Sequence, residues 1–155
     1  MKVAALSISR GGVPKLPVMS ARVTTLGLAG DAHTNKKLHG GPDKAVCLFS
    51  LDVIAALRDE GHPITPGATG ENVTLAGVPW PELAAGDVLE LGEVIVQLTT
   101  MTDPCKKIAA AFADGNAWNI VAPARTRWYA RVLVEGDLAV GAEVRRRLRP
   151  AAPAP

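Results

Sequence analysis

Aromatic residues are scarce in this chain: three Trp, two Phe and one Tyr among 155 residues. Any core must therefore be filled by Val, Leu, Ile and Ala. Cysteines number two, too few for the disulfide framework of a small secreted domain or for a Cys-rich iron–sulfur motif. No segment approaches the ~18 consecutive apolar residues of a membrane span. The apolar stretch of the opening MKVAALSISR is also too short for a signal peptide. The cytoplasm is the expected compartment. Charge is nearly balanced, with 17 basic against 15 acidic residues. That lacks the concentrated basic face of a nucleic-acid binder. The one basic cluster, Arg145, Arg146, Arg147 and Arg149, reads as a solvated last strand and tail.

What is present suits one globular domain over residues 1–149, followed by a disordered Pro/Ala tail at 150–155. The hydrophobic share is 48%, and a domain of this size buries about 70% of its unfolded surface, so no metal or disulfide staple is needed. Short runs of strand character recur: VAALSI from Val3, ARVTTL from Ala21, AVCLF from Ala45, DVLEL from Asp87, VIVQL from Val94 and WYARVLV from Trp128. The Gly92-Glu93 step predicts a hairpin between two of them. Ser50 reads as the N-cap of a helix with Leu51, Ile54, Ala55 and Leu57 on one face, stopped by Gly61 and Pro63. Pro104 opens a second helix with Ile108, Ala109, Phe112 and Ala113 apolar. Six or seven strands that do not alternate with helices predict a mainly β, α+β domain, a closed or partly closed barrel with two or three attached helices.

Four polar segments punctuate the apolar text: GDAH at 30–33, HGGPDKAV at 39–46, GENV at 70–73 and TDPCKK at 102–107. Cys105 is the sharpest feature. It follows a strand, sits at a predicted helix start and precedes Lys106 and Lys107, surroundings that favour thiolate over thiol. A thiolate serves a nucleophile, a sulfur carrier or a soft-metal ligand; an inert Cys at a helix start is the plain alternative. Cys47, within an apolar run, reads as a small buried hydrophobe. His33 and His39 lack zinc spacing, since neither CxxC nor HxxxH occurs. His39, Gly40, Gly41 and Lys44 suit either an anion or an ordinary turn. Glu71 and Asn72 suit a structural loop. Arg125 and Arg127, opposite Trp128 by strand alternation, suit a phosphate or a surface ion pair.

The ordered set GDAH, HGGPDKAV, GENV, a strand, Pro-Cys before a helix, and RTRWYARV resembles the MOSC family, named for the C-terminal domain of molybdenum-cofactor sulfurase. The likeness runs from about Gly27 to Val144 and is similar to the family's small stand-alone bacterial members, linked to resistance to N-hydroxylated purines. The resemblance implies a barrel-like fold with a pocket for molybdenum cofactor, a phosphate-bearing pterin. Cys105 would be the thiolate ligand of molybdenum or the carrier of a persulfide. His39, Gly40, Gly41, Lys44, Glu71, Asn72 and Lys106 would line the pocket, and Arg125 and Arg127 would serve the cofactor's phosphate. Relatives carry an Arg-containing stretch before the Pro-Cys where this chain has Met101-Thr102-Asp103, leaving Lys106 and Lys107 to compensate.

The functional expectation is a molybdenum-cofactor-dependent reductase of N-hydroxylated compounds. Its electrons would come from a partner reductase, because no flavin, haem or iron–sulfur motif is visible. The alternative is a carrier that holds cofactor or sulfur on Cys105, served by a sulfur-donor protein. A third is an interaction domain with an idle thiol. No pyridoxal phosphate is expected on this chain, and neither nucleic acid nor membrane is an expected partner. An exposed sheet edge would allow a homodimer.

Overall fold

The computed structural model describes residues 1–32 and 41–148. Eleven strands and one α-helix follow in order: β1 (Lys2–Ile8), β2 (Leu16–Val18), β3 (Ser20–Thr24), β4 (Gly27–Leu28), β5 (Val46–Ser50), α1 (Leu51–Asp59), β6 (Val73–Ala76), β7 (Val88–Leu91), β8 (Val94–Thr102), β9 (Arg127–Val134), β10 (Gly136–Ala139) and β11 (Val144–Arg147). Eight strands form one sheet in the order β11-β7-β8-β9-β5-β6-β1-β2, and β10-β3-β4 form a smaller one. All neighbours in both sheets are antiparallel except β5 and β6. That parallel pair needs a crossover, and α1 supplies part of it.

The large sheet is not a closed barrel, yet its two sides meet near the N-terminus. Val3 N–H donates to the Ala142 carbonyl at 2.9 Å, just ahead of β11, and Val144 N–H, at the start of β11, donates to the Met1 carbonyl at 3.0 Å. The mainly β, α+β class expected from the strand pattern is what the chain adopts. Helix α1 begins as its sequence implies, with the Ser50 hydroxyl accepting from Val53 N–H at 3.2 Å. The Gly92 turn joins β7 to β8 with Leu91 opposite Val94, and Gly92 takes a positive φ of 59°. The helix expected after Pro104 is a six-residue 3₁₀ helix, Lys106–Ala111, and a further 3₁₀ turn, Ala117–Ile120, follows it before β9.

Strand β9 sits between β8 and β5 and is covered on both faces. Trp128, Ala130 and Val132 face the main core, whereas Arg127 and Tyr129 are buried against the opposite side. In β5, Val46 and Leu48 join the core while Cys47 is not part of it, and Cys47 pairs in register with Tyr129. This alternation separates core from site along two adjacent strands.

The C-terminal arginines are not uniformly solvated. Arg145 makes only an exposed pair with Glu143. Arg146, with 13% of its side chain exposed, donates to Asp87 at 3.0 Å and to the Glu82 carbonyl at 2.8 Å. Arg149 and the tail at 150–155 lie outside the described residues. Removing Asp87 leaves a largely buried guanidinium with the Glu82 carbonyl and the exposed Glu82 carboxylate as its remaining partners. Asp87→Ala should cost about 2–3 kcal/mol, near the lower edge for breaking a buried pair, whereas Arg145→Ala should leave the urea midpoint unchanged. Equilibrium urea unfolding checks both.

Candidate functional site

One cleft of about 660 Å³, counting the space open to solvent, lies over the β5–β9 pair. Cys105, Cys47, Tyr129, Asn72, Gly70 and Ile108 line it, together with four cations: Lys15, Lys44, Lys107 and Arg127. No carboxylate is among its described lining residues. A concave site rich in positive charge with a thiol at its wall favours an anionic ligand with a thiophilic part.

Each cation reaches the cleft from a different element. Arg127 opens β9. Its Nη2 donates to the Asp103 carbonyl at 3.1 Å and its Nη1 to the Thr69 carbonyl, so one guanidinium staples the segment before Cys105 to the loop before β6. Its Nε is buried and has no partner among the described residues. A positive group therefore occupies the neighbourhood where Met101-Thr102-Asp103 carries none. Lys44 ends the 3₁₀ turn Pro42–Lys44 and lies 5.3 Å from the Tyr129 ring centroid. That turn is held on the sheet by the Thr99 hydroxyl, which donates to the Asp43 carbonyl at 2.6 Å. Lys15 enters from the loop between β1 and β2, and its Nζ lies 2.7 Å from Asp31 Oδ2 with the ammonium side chain 8% exposed.

Glu71 organises this arrangement from behind. It is fully buried, accepts from Gly67 N–H at 2.5 Å and takes the Thr69 hydroxyl on its other oxygen. The loop so held then offers the Gly67 carbonyl to Lys15 N–H at 2.9 Å and the Thr69 carbonyl to Arg127. Gly67 has φ of 88°, and a Cβ there would come within 2.4 Å of the Lys15 carbonyl oxygen, so only glycine permits this contact. Asn72 clamps Cys47 from both sides: its N–H donates to the Cys47 carbonyl at 2.8 Å, and its Oδ1 accepts from Cys47 N–H at 3.1 Å. Its Nδ2 donates to Asp31 Oδ2 at 2.9 Å.

Burial sets the protonation of the inner wall. It pushes the Cys47 thiol up, opposed by the nearby Arg127 charge. Burial also pushes the Tyr129 hydroxyl up to about 12, so it stays protonated and can donate. Cys105 itself is half-buried, in extended backbone at the head of the 3₁₀ helix. Because that helix is short and 3₁₀, it offers a weaker dipole than the α-helix anticipated at this cysteine.

Of the residues singled out from sequence, the structure gathers Cys105, Lys44, Asn72 and Arg127 in the cleft. Glu71 supports it from the second row. Lys106 is exposed and does not line the cleft; Lys107 does. Gly41 is exposed, with φ of 81°, and starts the turn that carries Lys44. Arg125 points elsewhere, paired on the surface with Glu60 through a contact of 2.9 Å and a second, shorter one. His33, His39 and Gly40 lie outside the described residues. Among the described residues, no cluster of three or more His, Cys, Asp or Glu side chains is placed to hold a metal. Among the lining residues, Lys15, Cys47, Thr69 and Tyr129 were not singled out as site residues by the sequence reading. A signal for Lys15 was present: GGVPK at 11–15 matches GGPDK at 40–44 in its two glycines and its lysine, with a proline one place later.

Glu71→Ala strips two acceptors from buried donors and should cost about 2–3 kcal/mol. Glu71→Gln keeps one acceptor and should cost less. Burial raises the Glu71 pKa above its ordinary 4.5. The folded state then holds more protons than the unfolded state, and wild-type stability falls as pH rises from that value until the buried carboxyl ionises. Glu71→Gln lacks this slope, so its stability relative to wild type should grow over the same interval. Urea midpoints taken from pH 4 upward test the sign.

A family model for the MOSC domain matches residues 35–145. Among curated proteins the chain is 33% identical to an uncharacterized Bacillus subtilis protein, YflK, over 136 residues, covering 86% of this chain and 62% of that one. It is 27% identical to Escherichia coli YiiM over 125 residues, covering 77% and 56%. The chain thus spans about three fifths of the length of these relatives. Among solved structures, YiiM from Geobacillus stearothermophilus superposes with a TM-score of 0.77 at 25% identity, over 97% of this chain and 76% of that one. YuaD from Bacillus subtilis shares the fold with a TM-score of 0.75 at 16% identity, over 92% and 93%. The match over most of its length, on a sheet whose strands bring a thiol and four cations together, makes this chain a member of the MOSC domain family.

Proposed function

We propose that this protein binds molybdenum cofactor through Cys105 and reduces N-hydroxylated compounds with electrons from a partner protein. The observation that carries the reading is the composition of the cleft over β5 and β9: a half-buried thiol, four cations and no carboxylate among its described lining residues. A phosphate-bearing pterin that holds molybdenum needs a soft sulfur at one end and positive charge at the other. The buried, unpartnered Nε of Arg127 fits the same demand.

The cofactor, when bound, supplies the two-electron chemistry that takes oxygen from nitrogen. The protein's residues do the rest. Cys105 offers its sulfur as the metal ligand. Arg127, Lys15, Lys44 and Lys107 offset the anionic charge of the bound group. Tyr129, protonated throughout the neutral range, is a donor for a substrate oxygen or for the pterin. Each reduction takes two electrons and two protons and releases the amine with one water, so an external reductant is required. No helix of the described residues is long and apolar enough to cross a membrane, and a small diffusing substrate can enter from the open side of the cleft.

Protein purified from cells that make the cofactor should contain close to one molybdenum per chain, and Cys105→Ser should lose it, both read by elemental analysis. With an artificial electron donor, the metallated wild type should convert an N-hydroxylated purine to the amine, and Cys105→Ser should not. Absence of molybdenum from the wild type sinks the cofactor reading. A metallated protein that leaves the purine untouched, with the mass of one extra sulfur on Cys105, would place it among sulfur carriers.

A further inference from the structure

We propose that His62 is a pH-sensitive latch on the segment that carries Cys105. Its neutral ring holds the far end of that segment to the turn after α1, and protonation of the ring releases it. The latch is independent of the cofactor reading, because it concerns how the thiol-bearing segment is held and not what binds beside it.

Between β8 and β9 the chain carries Cys105 at the head of the 3₁₀ helix Lys106–Ala111, and then the turn Ala117–Ile120. Hydrogen bonds in 3₁₀ helices are poorer than in α-helices, so this segment depends on what it is fastened to. Arg127 fastens its head through the Asp103 carbonyl at 3.1 Å. His62 fastens its far end: Ala113 N–H donates to His62 Nδ1 at 3.1 Å, and the ring meets Phe112 edge-on with centroids 5.4 Å apart. The last turn of α1 sets the place of His62, whose own N–H donates to the Leu57 carbonyl at 3.1 Å. Phe112 is buried and its N–H donates to the Ala109 carbonyl at 3.1 Å. Ile108 and Lys107, about one turn earlier, are cleft wall.

The Ala113 contact selects one protonation state. A neutral imidazole has one acceptor nitrogen, whereas both nitrogens of the imidazolium are donors. A proton on Nδ1 sets donor against donor and removes the bond to Ala113. Histidine is the side chain whose charge ordinarily changes between pH 5 and 8. The latch is therefore closed while the ring is neutral and opens as pH falls.

Two carboxylates flank the ring. Glu60 caps α1 two residues before His62, and Asp114 follows Ala113. The Glu60 carboxyl is held below its ordinary range first by its hydrogen bonds with Arg125, and the charged form of His62 lowers it further. Asp114 is held low by the Asn116 N–H and the Asn119 side chain, and again by charged His62. Both stay ionised in mild acid and attract the proton that opens the latch. The neighbouring cations are already engaged, Arg125 with Glu60 and Arg58 with the Ile64 carbonyl at 3.0 Å. A hydrogen bond that holds the Cys105 segment thus competes with two carboxylates that favour its loss, and pH decides between them.

The test uses the whole chain free of metal, with amide hydrogen exchange and the His62 ring signals followed by NMR. In wild type, protection of the Ala113 amide should fall about threefold or more between about pH 7.5 and pH 5.5, in step with the ring titration. His62→Asn keeps an acceptor close to the Nδ1 position without a titrating ring, so its Ala113 protection should stay level. His62→Phe keeps the contact with Phe112 but has no acceptor, and its Ala113 amide should be poorly protected at both pH values. Alkylation of Cys105 by iodoacetamide reports on the other end of the segment. The wild-type rate divided by the His62→Asn rate should rise about twofold over the same interval, the thiolate fraction cancelling in the ratio. A His62 ring that titrates while Ala113 protection stays constant overturns the latch. So does a loss of protection that persists in His62→Asn, or an alkylation ratio that does not move with pH. None of these readings involves molybdenum, so the latch and the cofactor reading stand or fall separately.

Discussion

Glu71 is fully buried and takes its stabilisation from Gly67 N–H and the Thr69 hydroxyl. Burying an ionisable group in this way is costly, and what it secures is the shape of one loop. From that loop the Gly67 carbonyl receives the Lys15 segment and the Thr69 carbonyl receives Arg127. Arg127 in turn holds the Asp103 carbonyl, two residues from Cys105. A single buried acid thus sets the relative places of the two inner cations and, through Arg127, the strand end that leads to the thiol.

Asn72, next in the chain, performs the matching task on the other wall. Its backbone and side chain together clamp Cys47, whose register partner is Tyr129. The GENV segment is therefore a bracket between β5, β1 and the Lys15 loop, and its two polar residues act mainly on the protein itself. Glu71 shapes the cleft without touching it, and Asn72 contributes both a wall and a brace. Polar residues in a loop advertise function, but whether they meet the ligand or hold the residues that do depends on which side of the loop the cleft opens.

The separation of core from site along β5 and β9 explains how so few aromatics suffice. One face of each strand joins the core, including Val46, Leu48, Trp128, Ala130 and Val132. The alternate positions, Cys47, Arg127 and Tyr129, are polar or polarisable and face the cleft. Because side chains alternate across a strand, one stretch of β9 contributes to both without a change in backbone geometry.

The longer strands, the α1 start at Ser50, the Gly92 hairpin and the place of Cys105 at the head of a helical turn were legible in the sequence, because each rests on local chemistry: alternation, a capping hydroxyl, a turn glycine, a thiol beside lysines. The family resemblance was legible for a related reason, since ordered polar motifs survive in one dimension. What the sequence could not convey was which charges converge. Arg125 and Arg127 are two residues apart, and only the fold turns one outward to Glu60 and the other inward to the thiol. Lys15 lies 90 residues from Cys105 in the chain and reaches the same cleft because β1 pairs with β6, whose preceding loop holds the Lys15 backbone. Long-range strand pairing and burial decide such neighbours, and both are properties of the packed chain rather than of any local run of residues.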